Sequence, residues 1–195
     1  MSAPGGAARL GRDYFDDLYQ RNPDPWAFAT SAYEHAKYEH SLAVLGDRRF
    51  SAALEVGCSI GVFTAMLGPR CERLCAVDVS AVAVEAARER CAEIASVSVA
   101  RRSLPEQTPH GPFDLVVCSE VLYYFAEPLL GEVLDALSAR LAPEGLLLAV
   151  HWTRPTRTYP LGGERAHELV RGHGRLRSLH GESRPDYRLD LLARR

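Results

Sequence analysis

Lysine is nearly missing from this chain: Lys37 is the only one, and the other 22 basic residues are arginine. With abundant Ala and Leu, that bias suggests a GC-rich bacterial genome. It also singles out Lys37, because an exchangeable lysine would have drifted to arginine. Long apolar runs are missing too; none reaches the ~18 residues that a membrane span needs. The Ala/Gly/Pro-rich start, Met1 to Gly11, is too weakly hydrophobic for a signal peptide. A net charge of −2 gives no bulk attraction to nucleic acid or to a membrane. No CxxC pair and no HExxH occurs, so a metal site has no support. The five cysteines (Cys58, Cys71, Cys75, Cys91, Cys118) are odd in number and sit mostly in apolar runs, as expected of reduced, buried thiols in a cytoplasmic protein. No internal repeat interrupts the chain. At 195 residues one domain is expected, with residues 1–12 as a flexible tail, 13–46 as a helical lid and 50–195 as the core.

What is present is a regular alternation. Asp13–Gln20 reads as a short helix, broken by Asn22-Pro23-Asp24-Pro25-Trp26. Ser31-Ala32-Tyr33-Glu34 fits the capping box of a second helix running to about Gly46. Strands are then expected at 52–56, 74–79, 97–100, 113–118 and 146–150, and two more at 175–179 and 187–193. Between them fall helices near 60–68, from the cap Ser80 to about Ile94, from Pro128 onward, and at 162–172. Such alternation means an α/β fold, a parallel sheet covered by helices on both faces. Ligands of such sheets bind beyond the carboxyl ends of the strands, at the switch point.

The turn after the first strand, Leu54-Glu55-Val56-Gly57-Cys58-Ser59-Ile60-Gly61, admits three readings. A dinucleotide fingerprint G-x-G-x-x-G fails, since Ser59 and Val62 stand where glycines belong. Gly57-Cys58-Ser59-Ile60-Gly61 does match the G-x-S-x-G nucleophile elbow of a serine hydrolase, with Asp114 or Asp135 and then His151 downstream. However, no oxyanion segment and too few strands precede it, and Glu55 has no purpose there. The third reading is a site for S-adenosylmethionine. The glycine turn admits the methionine part closely, and Asp78, at the end of the next strand, accepts hydrogen bonds from both ribose hydroxyls.

On these residues the chain resembles the class I S-adenosylmethionine-dependent methyltransferases over residues ~50–152. Glu55–Gly61 looks like their first motif, Asp78 their second and Phe113–Phe125 their fourth. Upstream, Asp24-Pro25-Trp26, Phe28-Ala29-Thr30-Ser31, Tyr33-Glu34 and Lys37-Tyr38 resemble the signature of the nodulation protein S family, which N-methylates the glucosamine end of a chitin oligosaccharide. The resemblance implies a three-layer Rossmann-like sheet, mostly parallel with an antiparallel last strand, under an N-terminal helical lid. It also implies S-adenosyl-L-methionine held by Glu55, Gly57, Cys58, Gly61, Asp78, Val79, Arg102, Ser103 and Leu104, with Trp26 and Tyr33 closing over it. Val79 and Leu104 would sandwich adenine. Arg102 stands where an acid is usual, which leaves main chain around Arg101–Leu104 to hold the adenine amino group.

Glu120, Tyr124 and His151 follow the fourth and fifth strands, where an acceptor approaches, and are the candidate catalytic residues. Glu120 would orient an amine or take its proton, or merely cap the next turn. Tyr123 and Tyr124 would stack on a sugar or pack, and His151 is a candidate base. Lys37 would tie Glu34 or the cofactor carboxylate, or form an ordinary i, i+3 surface pair. Residues 151–195 carry ten arginines against five acids. That excess would attract an anionic acceptor such as a phosphorylated or nucleotide-linked sugar, or form a solvated face. The expected reaction is N-methylation of an amino sugar or related amine by in-line displacement. An O-methyltransferase and a non-catalytic cofactor-binding module are the alternatives, in a monomer or homodimer without nucleic-acid or membrane partners.

Overall fold

The computed structural model describes residues 8–195 except residue 157. The first helix, α1 (Arg12–Arg21), and α2 (Ala32–Val44) precede a seven-stranded sheet. Its strands are β1 (Ala53–Val56), β2 (Leu74–Asp78), β3 (Val97–Arg101), β4 (Phe113–Ser119), β5 (Leu141–Trp152), β6 (Leu176–Ser183) and β7 (Tyr187–Arg194), in the order β3-β2-β1-β4-β5-β7-β6. The first five strands run parallel, and β7 runs against both β5 and β6. Helices α3 (Val62–Leu67), α4 (Ala81–Arg90), α5 (Glu127–Arg140) and α6 (Gly163–Gly172) connect them. This is the Rossmann-like arrangement expected, including its antiparallel strand. The switch point lies at β1, from which the order runs outward to β2 on one side and β4 on the other.

The local causes are simple. All four β1 residues and most of β4 are buried, as a central strand covered on both faces must be. Asp114 holds the start of β1, its two oxygens accepting the Ser51 and Ala52 N–H groups at 2.8 Å. Ser31 Oγ accepts the Glu34 N–H and Ser80 Oγ the Ala83 N–H, each at 3.3 Å, so both expected caps form. One difference concerns β5, which starts at Leu141 rather than 146. Phe113 pairs with Leu141 before Pro143-Glu144-Gly145 and Leu115 with Leu146 after it. The expected turn is therefore a kink within a strand, with Glu144 at φ +59. α4 ends at Arg90, and Ile94 then seats against Gly68, where a Cβ would lie 3.0 Å from it. No helix among the described residues is long and apolar enough to cross a membrane.

Of the expected tail, residues 8–12 are described, and Arg12 already belongs to α1. Residues 1–7 lie outside the described residues, but Ala8–Leu10 run beside the segment after β4. Leu10 N–H donates to Tyr124 O at 2.9 Å and Ala126 N–H to Ala8 O at 2.7 Å. Arg9 donates to Leu104 O at 2.5 Å and pairs with Glu106.

The carboxy-terminal layers are joined by a buried polar chain. The Leu122 N–H donates to His151 Nε2 at 3.0 Å, so that nitrogen carries no proton. His151 Nδ1–H is then the donor to His167 Nε2 at 3.1 Å, and His167 Nδ1–H donates to Asp190 at 2.7 Å. All three side chains are inaccessible. Arg171 and Arg188 complete the shell around Asp190. Burial alone would raise the Asp190 carboxyl, but the bonds from His167 and Arg188 outweigh it and hold it below the usual range. Burial, then the neighbouring His167, pushes His151 well below an ordinary histidine. Folded His151 stays neutral while the unfolded one titrates near pH 6.5, so its contribution is present above that pH and lost as the pH falls below it. Unfolding free energy from urea titrations should therefore fall below about pH 6.5, by up to about 1.4 kcal/mol per pH unit from this group. His151→Gln should flatten that dependence; an unchanged slope would contradict the assignment.

Candidate active site

The carboxyl ends of β1, β2 and β4 open into one cleft, which encloses about 920 Å³ with its open mouth included. Glu55, Gly57, Cys58, Asp78, Val79, Arg102, Ser103, Leu104 and Trp26 line it, as do Glu120 and Tyr124. Three expected site residues do not. Gly61 acts one layer back: at φ +79, its Cβ would sit 3.0 Å from the Ala87 Cα, so glycine lets α3 and α4 approach. Tyr33 lies outside the cleft, edge-on to Trp152 and Tyr187 and partly exposed. His151 is enclosed in the chain to Asp190, with both ring nitrogens engaged, and cannot act as a base toward the cleft.

The turn after β1 is shaped by the φ values it requires. Gly57 has φ +75, and a Cβ there would lie 2.9 Å from Val121. Ser59, at φ +51, occupies a conformation that favours glycine. Its hydroxyl bonds Tyr19 at 2.5 Å and its N–H donates to Asp78 at 2.9 Å. No histidine reaches Ser59, so the elbow's triad is not assembled among the described residues.

Three carboxyl groups face the cleft, each held differently. Asp78 accepts Ser59 N–H on one oxygen and Ser80 N–H on the other, both at 2.9 Å. Each oxygen keeps one lone pair, which matches a vicinal diol. Burial raises its carboxyl, against those two backbone bonds. It does not cap α4, since Ser80 does. Glu55 is fully buried and pushed up to about 8, by burial first and then by Asp78. Its Oε2 has no partner among the described residues. Glu120, at φ +54, accepts Lys37 Nζ on Oε1 at 2.5 Å. Its Oε2 accepts Trp152 N–H at 3.0 Å and the Tyr123 hydroxyl. Lys37 also pairs with Glu34 at 2.8 Å and is 2% exposed, so this is a buried pair and not a surface one.

The lid supplies wall as well, and of it the sequence reading leaves Phe15 and Tyr19 unassigned while giving Phe28 and Tyr38 as either core packing or a cover over a flat ligand. Phe15 and Tyr19 of α1 and Tyr38 of α2 border the cleft, with Arg9 and Leu10 ahead of them. Trp26 stacks on Phe28, ring centroids 5.4 Å apart. That loop is shaped by Asp24, whose oxygens accept Phe28 and Ala29 N–H at 2.8 and 2.9 Å. Asp16 of α1 accepts Ser80 Oγ–H at 2.7 Å and Ala81 N–H at 2.8 Å and pairs with Arg101, which fixes the lid over α4. The i, i+4 spacing of Phe15 and Tyr19 was the available signal. Among the described residues no group of His, Cys, Asp and Glu is placed to hold a metal.

The cleft tests whether S-adenosylmethionine fits. The unpartnered Glu55 oxygen calls for a cationic donor, the Gly57 turn leaves main chain open to close approach, and Asp78 offers two free lone pairs. These match an amino acid ammonium and a ribose, so the residues fit the group.

Comparison with known proteins agrees. The nodulation protein S family model matches residues 13–150. Nodulation protein S of Bradyrhizobium diazoefficiens is 38% identical over 64% of this chain and 61% of its own length. That of Sinorhizobium fredii is 33% identical over 63% and 57%. The matched stretch thus spans less than two thirds of either relative. The crystal structure of the N-methyltransferase NodS from Bradyrhizobium japonicum, in complex with S-adenosyl-L-homocysteine, superposes with a TM-score of 0.81 at 26% identity, over 92% of this chain and 99% of that one. From its cleft and from these matches, the chain belongs to the nodulation protein S family.

Proposed function

We propose that the chain is an S-adenosylmethionine-dependent methyltransferase that transfers the methyl group to the nitrogen of an amine on a small molecule, with an amino sugar as the best-fitting class. The observation that carries this reading is the single cleft in which the unpartnered Glu55, the Gly57 turn and the half-satisfied Asp78 meet, with Glu120 beside them. Glu55 would hold the ammonium, Asp78 the ribose, and Val79 and Leu104 the base. Bound there, the cofactor would supply an already activated methyl on a sulfonium. The protein's part is then to exclude water and orient the acceptor. Phe15, Tyr19, Trp26 and Tyr124 form an apolar wall, and fixing the acceptor in line supplies most of the acceleration.

Nitrogen is favoured over oxygen by what the cleft holds. A hydroxyl acceptor needs a base, yet no histidine lines the cleft and Glu120 is tied by three donors. A neutral amine needs only orientation, and Glu120 Oε1 retains one lone pair for its N–H. Tyr33 and Trp152, beside Glu120, present partly exposed rings of the kind that pack on a sugar. The arginine-rich end gives little support to an anionic acceptor. Arg154, Arg165, Arg171, Arg177, Arg184 and Arg188 already pair with carboxylates.

Two measurements test the reading. Asp78→Ala should weaken S-adenosyl-L-homocysteine binding by roughly 100-fold or more in calorimetry, since it removes charge-assisted bonds in a buried site; unchanged affinity would sink the assignment. Glu55 is mostly protonated at neutral pH in the free protein, and an ammonium partner requires it ionised. Binding at about pH 7 should therefore release close to one proton, seen as buffer-dependent heats, with affinity rising toward about pH 8. Glu55→Gln should abolish the release.

A further inference from the structure

The one lysine of the chain sits where an ammonium, and not a guanidinium, is enclosed. Its Nζ lies 2.5 Å from Glu120 Oε1 and 2.8 Å from Glu34 Oε2, under the Tyr33 ring with 5.4 Å to its centroid. The side chain is essentially inaccessible, and both carboxylates are largely covered. Lys37 belongs to α2 in the lid, whereas Glu120 belongs to the segment after β4, so the pair joins the two across the cleft. Lys37 does not line the cleft itself; Glu120 does.

The bonds to Glu120 divide unequally. Oε2 is saturated by the Tyr123 hydroxyl and the Trp152 N–H. Oε1 has Lys37 alone among the described residues. A carboxylate oxygen has two lone pairs, so Lys37 takes one on Oε1 and leaves one. It thereby fixes the rotation of the carboxylate and the direction of its remaining acceptor position. Glu120 also holds a left-handed backbone conformation, at φ +54, that a non-glycine residue rarely adopts. Two carboxyl groups share one ammonium. A planar guanidinium needs more room and presents its donors in a fixed fork, which accounts for a lysine here in a chain that otherwise uses arginine.

We propose that Lys37 is a positioning residue of the acceptor site: acting through Glu120, it aims the carboxylate at the acceptor's N–H and leaves cofactor binding unaffected. This rests on the reading of the chain as an amine methyltransferase. Once Glu120 is no longer anchored, the acceptor amine is no longer held in line with the methyl group, and the loss falls on acceptor turnover.

Lys37→Met and Lys37→Arg, assayed with chitin oligosaccharide bearing a terminal glucosamine, should lose roughly 100-fold in kcat/KM, the size expected when one partner of a buried charge pair is removed. S-adenosyl-L-homocysteine affinity should stay within about threefold, because Glu55, Gly57 and Asp78 are untouched. Wild-type turnover in either variant would overturn the proposal, and so would a parallel loss of cofactor affinity, which marks a role in holding the lid alone. Should the variants fail to fold, the wild-type protein still decides the matter. With a single lysine, labelling lysine with 15N at Nζ gives one side-chain ammonium resonance. Adding D-glucosamine to the protein saturated with S-adenosyl-L-homocysteine should shift it; a resonance that does not move, for an amine that the same protein methylates when supplied with S-adenosyl-L-methionine, would exclude contact through Glu120. If the wild-type enzyme methylates no amine, the functional reading fails and takes this proposal with it. Turnover by wild type and variants alike removes the proposal only.

Discussion

Three carboxyl groups share one largely water-excluded cleft, and the rest of the site follows from how their mutual repulsion is managed. Asp78 is held by two backbone N–H groups, one from the glycine turn and one from the start of α4. Glu120 is held by a buried lysine, a tyrosine hydroxyl and a strand N–H. Glu55 has no donor on Oε2 and is pushed toward its neutral form. Of the three, only Glu120 has a cationic partner among the described residues, and that partner is shared with Glu34. A ligand that places a positive charge beside Glu55 relieves the burial cost of that carboxyl directly. The electrostatics alone thus favour a cation at the β1 end, before any family is considered.

The second consequence concerns the lid. α1 and α2 bury Phe15, Tyr19, Tyr38 and Leu42 in the core, and they are also fastened by polar groups that belong to the site. Asp16 bonds the start of α4 next to Asp78, Tyr19 bonds Ser59 in the glycine turn, and Lys37 bonds Glu120. Each fastener touches the residue or the element that carries one of the carboxyls. The wall of the cleft and the alignment of its acids are therefore one structure, and the residues before β1 belong to the site as much as the Rossmann-like core does.

Much of this was legible in the sequence, for reasons that are local. Strand and helix periods, the Ser31 and Ser80 caps, and an acid one strand after a glycine turn depend on neighbours a few residues away. What was not legible depends on distant partners. A histidine after an apolar strand reads the same whether it faces the cleft or the core; His151 faces the core because His167 and Asp190, on two later elements, complete its bonds. Tyr33 lies one face around α2 from the cleft, which is set by the helix's rotation against β5 and β7. The arginines after Trp152 looked like a basic face, but Arg165 and Arg177 pair with Glu127 and Glu144 of α5 and β5, outside that segment. Residues 8–10 looked like tail because a two-residue bridge beside Phe125 leaves no periodic trace.

The segment from Glu120 to Tyr124 shows how these long-range bonds combine. Its backbone is fixed from below, where the Leu122 N–H ends the polar chain that runs back to Asp190. Its first side chain is fixed from above, by Lys37 of the lid. Val121, between them, meets Gly57, where no side chain could be tolerated. A segment pinned on three sides cannot follow an acceptor of a different shape without breaking bonds to buried groups, each of which costs more to leave unpaired than it contributes when paired. On the proposed reading, adaptation to acceptors falls to the partly exposed rings of Tyr33 and Trp152 outside the cleft, while the alignment of Glu120 with the glycine turn stays constant.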